Sequence, residues 1–333
     1  MGNTLKRFLT IGFIALIAIA LVACSEDDDQ GSGSTNDSGD SSDYPNKPIE
    51  VVVPAGAGGD TDRNTRIVAN YLSEELGVDL VVTNIGGGGG SVGAREVLNA
   101  DPDGYKVLSF HNSIMINSIL DLADFSFEDF KIPGISVGDL GNSFIVNAES
   151  DITDLETLIE KAKENPGEIT IATETGAFTH MQLLAFQEET GTELKVVDVG
   201  DASEKVKALM AGQIDIIPTQ LGLVKSYIDS GDFKSLGIMA EERLESAPDV
   251  PTFVEQGVDV VFDKVFFWAF PKDTPQEIVD KFSEAIKAVT ENPDFIEEIT
   301  PHVVDPLYMN EEETMEHLRK LTEEYTELHE LTQ

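Results

Sequence analysis

IEVVVPAGAGGDTD, residues 49–62, decides the architecture of this chain. Ile49 to Val53 is a nearly continuous apolar run of the kind that forms a strand buried on both faces, and Pro54 with the following glycines ends it. From Asp62 onward the apolar residues Ile67, Val68, Tyr71, Leu72 and Leu76 recur at helical spacing, with Asp60 or Thr61 placed to cap the helix. The unit is therefore strand, loop, helix, and it repeats. Residues 80–82 lead into NIGGGGGSVGA at 84–94 and a helix over about 92–99, and residues 107–110 lead into a third loop. Further strands are predicted at 143–147, 169–172, 194–197, 214–217 and 236–239, with helices at 155–165, 180–190 and 203–211. Such alternation predicts an α/β fold of mostly parallel sheets flanked by helices. After Pro275 the chain reads as helices, broken at Asn292-Pro293 and at Pro301.

Before this pattern begins, Lys6 and Arg7 precede an apolar run from Phe8 to Leu21, which ends in Leu21-Val22-Ala23-Cys24. That is a lipobox: a secretory signal over residues 1–23, too short for a comfortable membrane span, with Cys24 as the lipid-bearing first residue of the mature protein. Residues 25–43, SEDDDQGSGSTNDSGDSSD, contain no apolar side chain and so nothing to offset chain entropy, which makes 24–43 a flexible tether.

The chain has 333 residues, 41% of them apolar, enough for substantial cores. Sixty-two acidic residues face 22 basic ones, for a formal charge of -40, and this excludes a nucleic-acid partner, whose phosphates are held by clustered Lys and Arg. The acidity suits a surface exposed to a salty or alkaline exterior. Cys24 is the only cysteine, so neither an internal disulfide nor a cysteine metal site is available. The five histidines are scattered and no run matches a calcium loop, and therefore neither metal nor cofactor is expected.

Chemistry is concentrated in the two glycine loops, 54–62 and 84–94. Both join a strand to a helix, where glycine permits close backbone approach and a helix N-terminus offers free N–H groups, so both are suited to hold an anion. Three catalytic or cofactor patterns compete for the second loop. Gly88, Gly90 and Gly93 have dinucleotide spacing, but the strand that should end in an acidic ribose partner is followed by His111 and Asn112. Gly89-Gly90-Ser91-Val92-Gly93 fits a nucleophile elbow, which makes a secreted serine hydrolase using Ser91 with His180 or His302 the alternative of another class. No lysine follows the glycines, which removes a Walker loop. Trp268, within VFFWAF at 265–270, reads as core more than as a cleft wall.

YPNKPIEVVVPAGAGGDTD at 44–62, NIGGGGGSVGA at 84–94, DPDGY at 101–105, Thr179-His180, AGQID at 211–215, DVPTF at 249–253 and the PKDTP that ends at Pro275 together resemble the solute-binding proteins of tripartite tricarboxylate transporters, the Bug or TctC family. The resemblance covers nearly the whole mature chain. It implies a two-lobed, Venus-flytrap binding protein of type II that closes over a small di- or tricarboxylate-type solute and delivers it to integral membrane subunits, without catalysis, as a monomer tethered outside the cytoplasmic membrane. A sensory receptor serving a signalling partner is the alternative within that class. The lobes would comprise 44–143 with 266–333, and 144–265.

Carried onto this chain, the resemblance places ligand contacts at Ala55, Gly58, Gly59, Asp60 and Thr61 in the first loop and Gly88, Gly89, Gly90 and Ser91 in the second. Asn112 and Ser113 follow the third strand, while Thr175, Phe178 and Thr179 close from the other lobe. Asp198 and Thr219 complete the set at the far end of the cleft, where this chain departs from the family's pattern: Asp198-Val199-Gly200-Asp201-Ala202 replaces a stretch with an aromatic and a cation, and Thr219-Gln220 replaces an aspartate.

Overall fold

A computed structural model of the protein describes residues 44–332. The signal segment, Cys24 and the tether lie outside the described residues. In chain order, β1 (Ile49–Val53), α1 (Asp60–Leu76), β2 (Leu80–Asn84), α2 (Ser91–Leu98), β3 (Lys106–Phe110), α3 (Ser113–Ile119) and β4 (Phe130–Asp139) come first. Next follow β5 (Asn142–Asn147), α4 (Leu155–Glu164), β6 (Thr170–Thr173), α5 (Phe178–Thr190), β7 (Lys195–Asp198), α6 (Ala202–Met210), β8 (Ile216–Gln220), α7 (Leu221–Asp229) and β9 (Phe233–Ile238). β10 (Lys264–Pro271), α8 (Gln276–Glu291), α9 (Pro293–Ile299), β11 (Asp305–Met309) and α10 (Glu311–Leu331) complete the chain.

The strands form two sheets, ordered β11-β4-β10-β3-β1-β2 and β7-β6-β8-β5-β9. The α/β class stands, but both sheets are mixed rather than mostly parallel. β1 runs parallel to β2 and β3, whereas β10 is antiparallel to both β3 and β4 because it re-enters from the other sheet. In the second sheet β6 is parallel to β7 and β8, and the entering strand β5 is antiparallel to β8 and β9. The first sheet is thus built from both ends of the chain. The backbone leaves it between Asp139 and Asn142 and returns between Ile238 and Lys264, so the crossings expected near Phe144 and Phe266 fall inside β5 and β10.

β10 holds the first half of the molecule together. Its side chains alternate between faces: Val265, Phe267 and Ala269 enter one core, while Phe266, Trp268 and Phe270 enter the core beneath α1 and α8. This is why VFFWAF is apolar at every position. Trp268 is buried, donates its indole N–H to Ser136 Oγ at 3.0 Å and packs on Phe282. Each such side chain contributes roughly 1.5–3 kcal/mol by leaving water. The break read at Asn292-Pro293 is a helix boundary: Asn292 accepts from the amide of Asp294 at 2.9 Å and Pro293 opens α9, where no N–H is needed. No helix among the described residues is long and apolar enough to cross a membrane.

Candidate functional site: a charged cavity between the sheets

Strands β1, β3, β6 and β8 direct their carboxyl ends toward one cavity of about 60 Å³. Ala55, Gly56, Gly59, Asp60 and Thr61 line it from the loop after β1 and the first turn of α1, and His111 from the end of β3. The opposite wall is Glu174, Ala177, Phe178 and Thr179 after β6, with Asp201, Ala202 and Lys205 from the start of α6. Asn142, Thr219, Gln220 and Lys264 close the floor. Placement outside strand carboxyl ends is where ligands lodge in α/β folds.

The first loop is braced by Asp62 rather than by Asp60. Asp62 Oδ2 accepts the Gly58 N–H at 2.9 Å, and its Oδ1 accepts from Arg66 and from Asn84, each at 2.9 Å. The N-cap of α1 is Gly59, without a side-chain cap, so the cap expected of Asp60 or Thr61 is absent. Asp60 instead makes a buried ion pair with Lys264, whose Nζ also lies 3.8 Å from Asp139 Oδ2. Burial opposes the Asp60 charge, but Lys264, with Arg63, more than offsets it and holds this carboxyl well below the usual range. Asp139 loses that contest: burial pushes its pKa up to about 6, and neither Lys264 nor the Gly141 amide at 2.9 Å offsets it. His111 is driven well below its ordinary value by burial and by Lys264, and so presents a neutral imidazole.

Lys205 is the second cavity cation. It is only 4% exposed, and its one hydrogen bond among the described residues goes to Thr179 Oγ1, at 3.2 Å. Burial lowers its pKa to about 8 against the pull of Asp60 and Glu174. Beside it, Thr219 Oγ1 is buried with no partner. Gln220 Nε2 closes no hydrogen bond either, although its amide lies close enough to Asp139 to favour that carboxylate slightly.

Of the residues anticipated from sequence, Ala55, Gly59, Asp60, Thr61, Phe178, Thr179 and Thr219 line the cavity. The others have different work. The amide of Gly58 is held by Asp62. Asn112 is structural: Nδ2 donates to the Asp263 carbonyl at 2.7 Å and to Tyr325 Oη at 2.8 Å, and Oδ1 accepts from Val265 at 2.9 Å. Ser113 Oγ accepts the Phe178 N–H at 2.8 Å and so ties α3 to α5. Thr175 donates both its amide, at 3.2 Å, and its hydroxyl, at 2.8 Å, to Asp198 Oδ2.

The second glycine loop docks on protein instead of facing the cavity. A Cβ on Gly89 would lie 2.8 Å from the Gly176 carbonyl carbon, and Asn117 Nδ2 donates to the carbonyls of both Gly89 and Gly176, at 3.2 and 2.7 Å. Glu174 is raised by burial, and the Gly89 amide is among the groups that favour its charge, so a carboxylate of the protein meets the amide expected to meet a ligand. Gly88 and Gly90 turn the chain with positive φ, and Ser91 opens α2 on a separate surface depression with Val92, Arg95, Glu96, Asn99 and Leu122. No histidine lines that depression.

The cavity residues that sequence missed include the charged Lys205, Lys264 and Glu174, with His111 and Asn142; Asp201 and Gln220 were anticipated only as part of the far end of the cleft. The available signals were Lys264 at the head of an apolar run and Lys205 next to Val206 on the buried side of α6. Among the described residues no cluster of three or more His, Cys, Asp or Glu is arranged to hold a metal ion.

Two mixed sheets with a small charged cavity where their loops meet define a two-lobed solute-binding receptor. The chain belongs to the tripartite tricarboxylate transporter receptor family: residues 64–329 match the description "Tripartite tricarboxylate transporter family receptor". It is 32% identical over 259 residues to a UPF0065 protein of Agrobacterium vitis, covering 76% of this chain and 74% of that one. Among solved structures it resembles one described as a periplasmic transporter, at 28% identity and a TM-score of 0.82 over 86% of this chain and 97% of the other. The periplasmic binding protein BugD is similar at 26% identity and a TM-score of 0.82, over 87% and 98%. The family is one of receptors, not of enzymes.

Proposed function

We propose that this protein is an exported, lipid-anchored receptor that captures a small organic carboxylate in the cavity between its lobes and delivers it to the integral membrane subunits of a tripartite transporter. The lobes are the first-sheet half, residues 44–139 with 264–332, and the second-sheet half, residues 142–238, and the unit acts as a monomer held to the outer face of the cytoplasmic membrane through Cys24. The observation that carries this reading is the cavity itself: both sheets contribute to it, and it holds two lysines and a hydroxyl without a partner. An anion entering there replaces its water shell with Lys205, Thr179 and Thr219, and charge-assisted hydrogen bonds of this kind are each worth about 1.5–3 kcal/mol.

Thermal unfolding of the purified protein against mono-, di- and tricarboxylates tests the ligand class. At a hundredfold excess over its dissociation constant a true ligand adds about 2.7 kcal/mol, read as an upward shift of several degrees. Uniformly flat curves would reject carboxylate capture. Fractionation tests the tether: Cys24→Ser is expected to move the protein from the membrane to the soluble fraction.

A further inference from the structure

Resting on the receptor reading, we propose that Lys205 is the charge partner of the solute, and that the solute presents a single carboxylate: a short monocarboxylate rather than a di- or tricarboxylate. The cavity's cations are not equivalent. Lys264 is already taken by Asp60, with Asp139 3.8 Å behind it. Arg63, which reaches the lining residue Gln220 from outside the cavity, is spent on it and on the Gly222 carbonyl at 3.0 Å. Lys205 alone among these three has no carboxylate or carbonyl partner, only the Thr179 hydroxyl, and it is more than nine-tenths buried. Asp60, Glu174 and Asp201 act on it only from a distance, and a buried ammonium with no carboxylate in direct contact gains when an anion supplies one.

The remaining walls limit that anion to one charge. A second carboxylate would meet Asp60, Glu174 or Asp201, all on the cavity. Asp201 Oδ1 caps α6, accepting from Ser203 and Glu204 amides at 2.9 and 3.1 Å, while its Oδ2 lies against Gly56, where a Cβ would sit only 1.7 Å away. No uncommitted cation remains on these walls for a dianion. What remains carries no charge: Ala55, Ala177, Phe178 and Ala202 are apolar, and the Thr219 hydroxyl and Gln220 amide nitrogen, both without a partner, offer neutral hydrogen bonds. Size agrees, since about 60 Å³ is well below the roughly 150 Å³ that holds a benzene.

Lys205 is faced by Asp60 of α1, by Glu174 after β6, by Asp201 at the start of its own helix, by Lys264 of β10 and by His111 after β3. Burial lowers its pKa to about 8, so raising the pH to 9.5 deprotonates the free site and weakens anion binding by about thirtyfold relative to pH 7.

The test is calorimetric titration of the purified full-length protein with acetate, propionate, lactate, succinate and citrate at pH 7.0 and 9.5, on wild type and Lys205→Met. The expected result is a monocarboxylate that binds at least tenfold more tightly than succinate or citrate, with proton uptake at pH 9.5 and at least thirtyfold weaker binding to Lys205→Met. That variant removes a buried charge whose desolvation outweighs the pull of the surrounding carboxylates and should unfold no earlier than wild type, while the wild-type pH series needs no variant. Succinate or citrate binding most tightly, or monocarboxylate affinity unchanged by both pH and Lys205→Met, overturns the inference and leaves the carboxylate receptor standing. Absence of any carboxylate binding overturns both.

Discussion

Asp60 and Lys264 form a buried ion pair across 204 residues of chain, joining the first turn of α1 to the first residue of β10 where β10 returns from the second sheet. The pair therefore fixes the cavity at the point where the first half of the molecule is closed by its own distant end. Desolvation offsets much of the attraction within such a pair, but breaking it strands a charge.

Lys264→Met leaves Asp60 and Asp139 buried without their cation and is expected to cost about 3–5 kcal/mol. Adding Asp60→Asn should restore most of that loss, because the stranded charge is gone. Urea unfolding of wild type, both single variants and the double variant measures this directly. Additive losses in the double variant would show that the two side chains act independently.

Asp139 gives stability a defined pH dependence. Its native pKa, about 6, lies above its ordinary value of 3.8, so the folded protein keeps a proton that the unfolded chain releases between about 4 and 6. This carboxyl's contribution falls as pH rises through that window, by at most about 3 kcal/mol at 1.36 kcal/mol per pKa unit. Asp60 has the opposite sign, since its lowered pKa makes its contribution disappear as pH falls below about 4. Asp139→Asn should consequently gain stability relative to wild type as pH goes from 4 to 7, in paired denaturant titrations. A constant difference across that range would remove Asp139 as the source.

The framework was legible where a short apolar run is closed by turn residues, as IEVVV before Pro54 became β1, and where apolar residues recur at helical spacing, as Ile67 to Leu76 became α1. The first loop was legible as a strand-to-helix junction, and Phe178 and Thr179, which also line the cavity, were anticipated only through the family resemblance. β4 and β10 were not legible: Pro133 and three glycine or serine positions interrupt the pattern of β4, and β10, which decides the sheet's direction, is apolar on both faces and so has no period to distinguish it from any buried run. The cavity's charges were hidden for another reason. Lys205 and Lys264 acquire their roles only from partners brought in by tertiary structure, and a lysine at a helix or strand terminus looks solvated in sequence. Five consecutive glycines pointed to a ligand loop, yet the room they make at Gly89 is filled by Gly176.

That contact predicts an asymmetry between two glycines of positive φ. Gly58 (φ +83) has nothing within 4 Å of an added Cβ, whereas Gly89 (φ +61) would place one 2.8 Å from both Asn117 Nδ2 and the Gly176 backbone. Gly58→Ala should cost only the left-handed strain, about 1–2 kcal/mol. Gly89→Ala adds a backbone collision that no rotamer relieves, so it should cost at least about 1 kcal/mol more and loosen the 174–177 segment. Denaturant midpoints and amide exchange at Ala177 and Phe178 report both effects. Equal costs and unchanged exchange would mean that the two loops are not pressed together.

Arg63 links the halves of the molecule directly. It projects from α1, on the first sheet, and donates Nη1 to the Gly222 carbonyl at 3.0 Å and Nη2 to Gln220, at the β8–α7 junction of the second sheet. The neighbouring contact is tight as well, since a Cβ on Gly222 would lie 1.7 Å from the His302 carbonyl oxygen. A charged donor on a carbonyl is worth about 1.5–3 kcal/mol, and in a cleft protein that energy favours the closed arrangement. Arg63→Leu should therefore increase the radius of gyration of the unliganded protein in small-angle scattering. It should also weaken solute binding by roughly tenfold, because the competent closed population is reduced. Saturating solute should return the radius to the wild-type value. An unchanged radius together with unchanged affinity would show that packing at Gly222 and His302, not Arg63, holds the cleft closed.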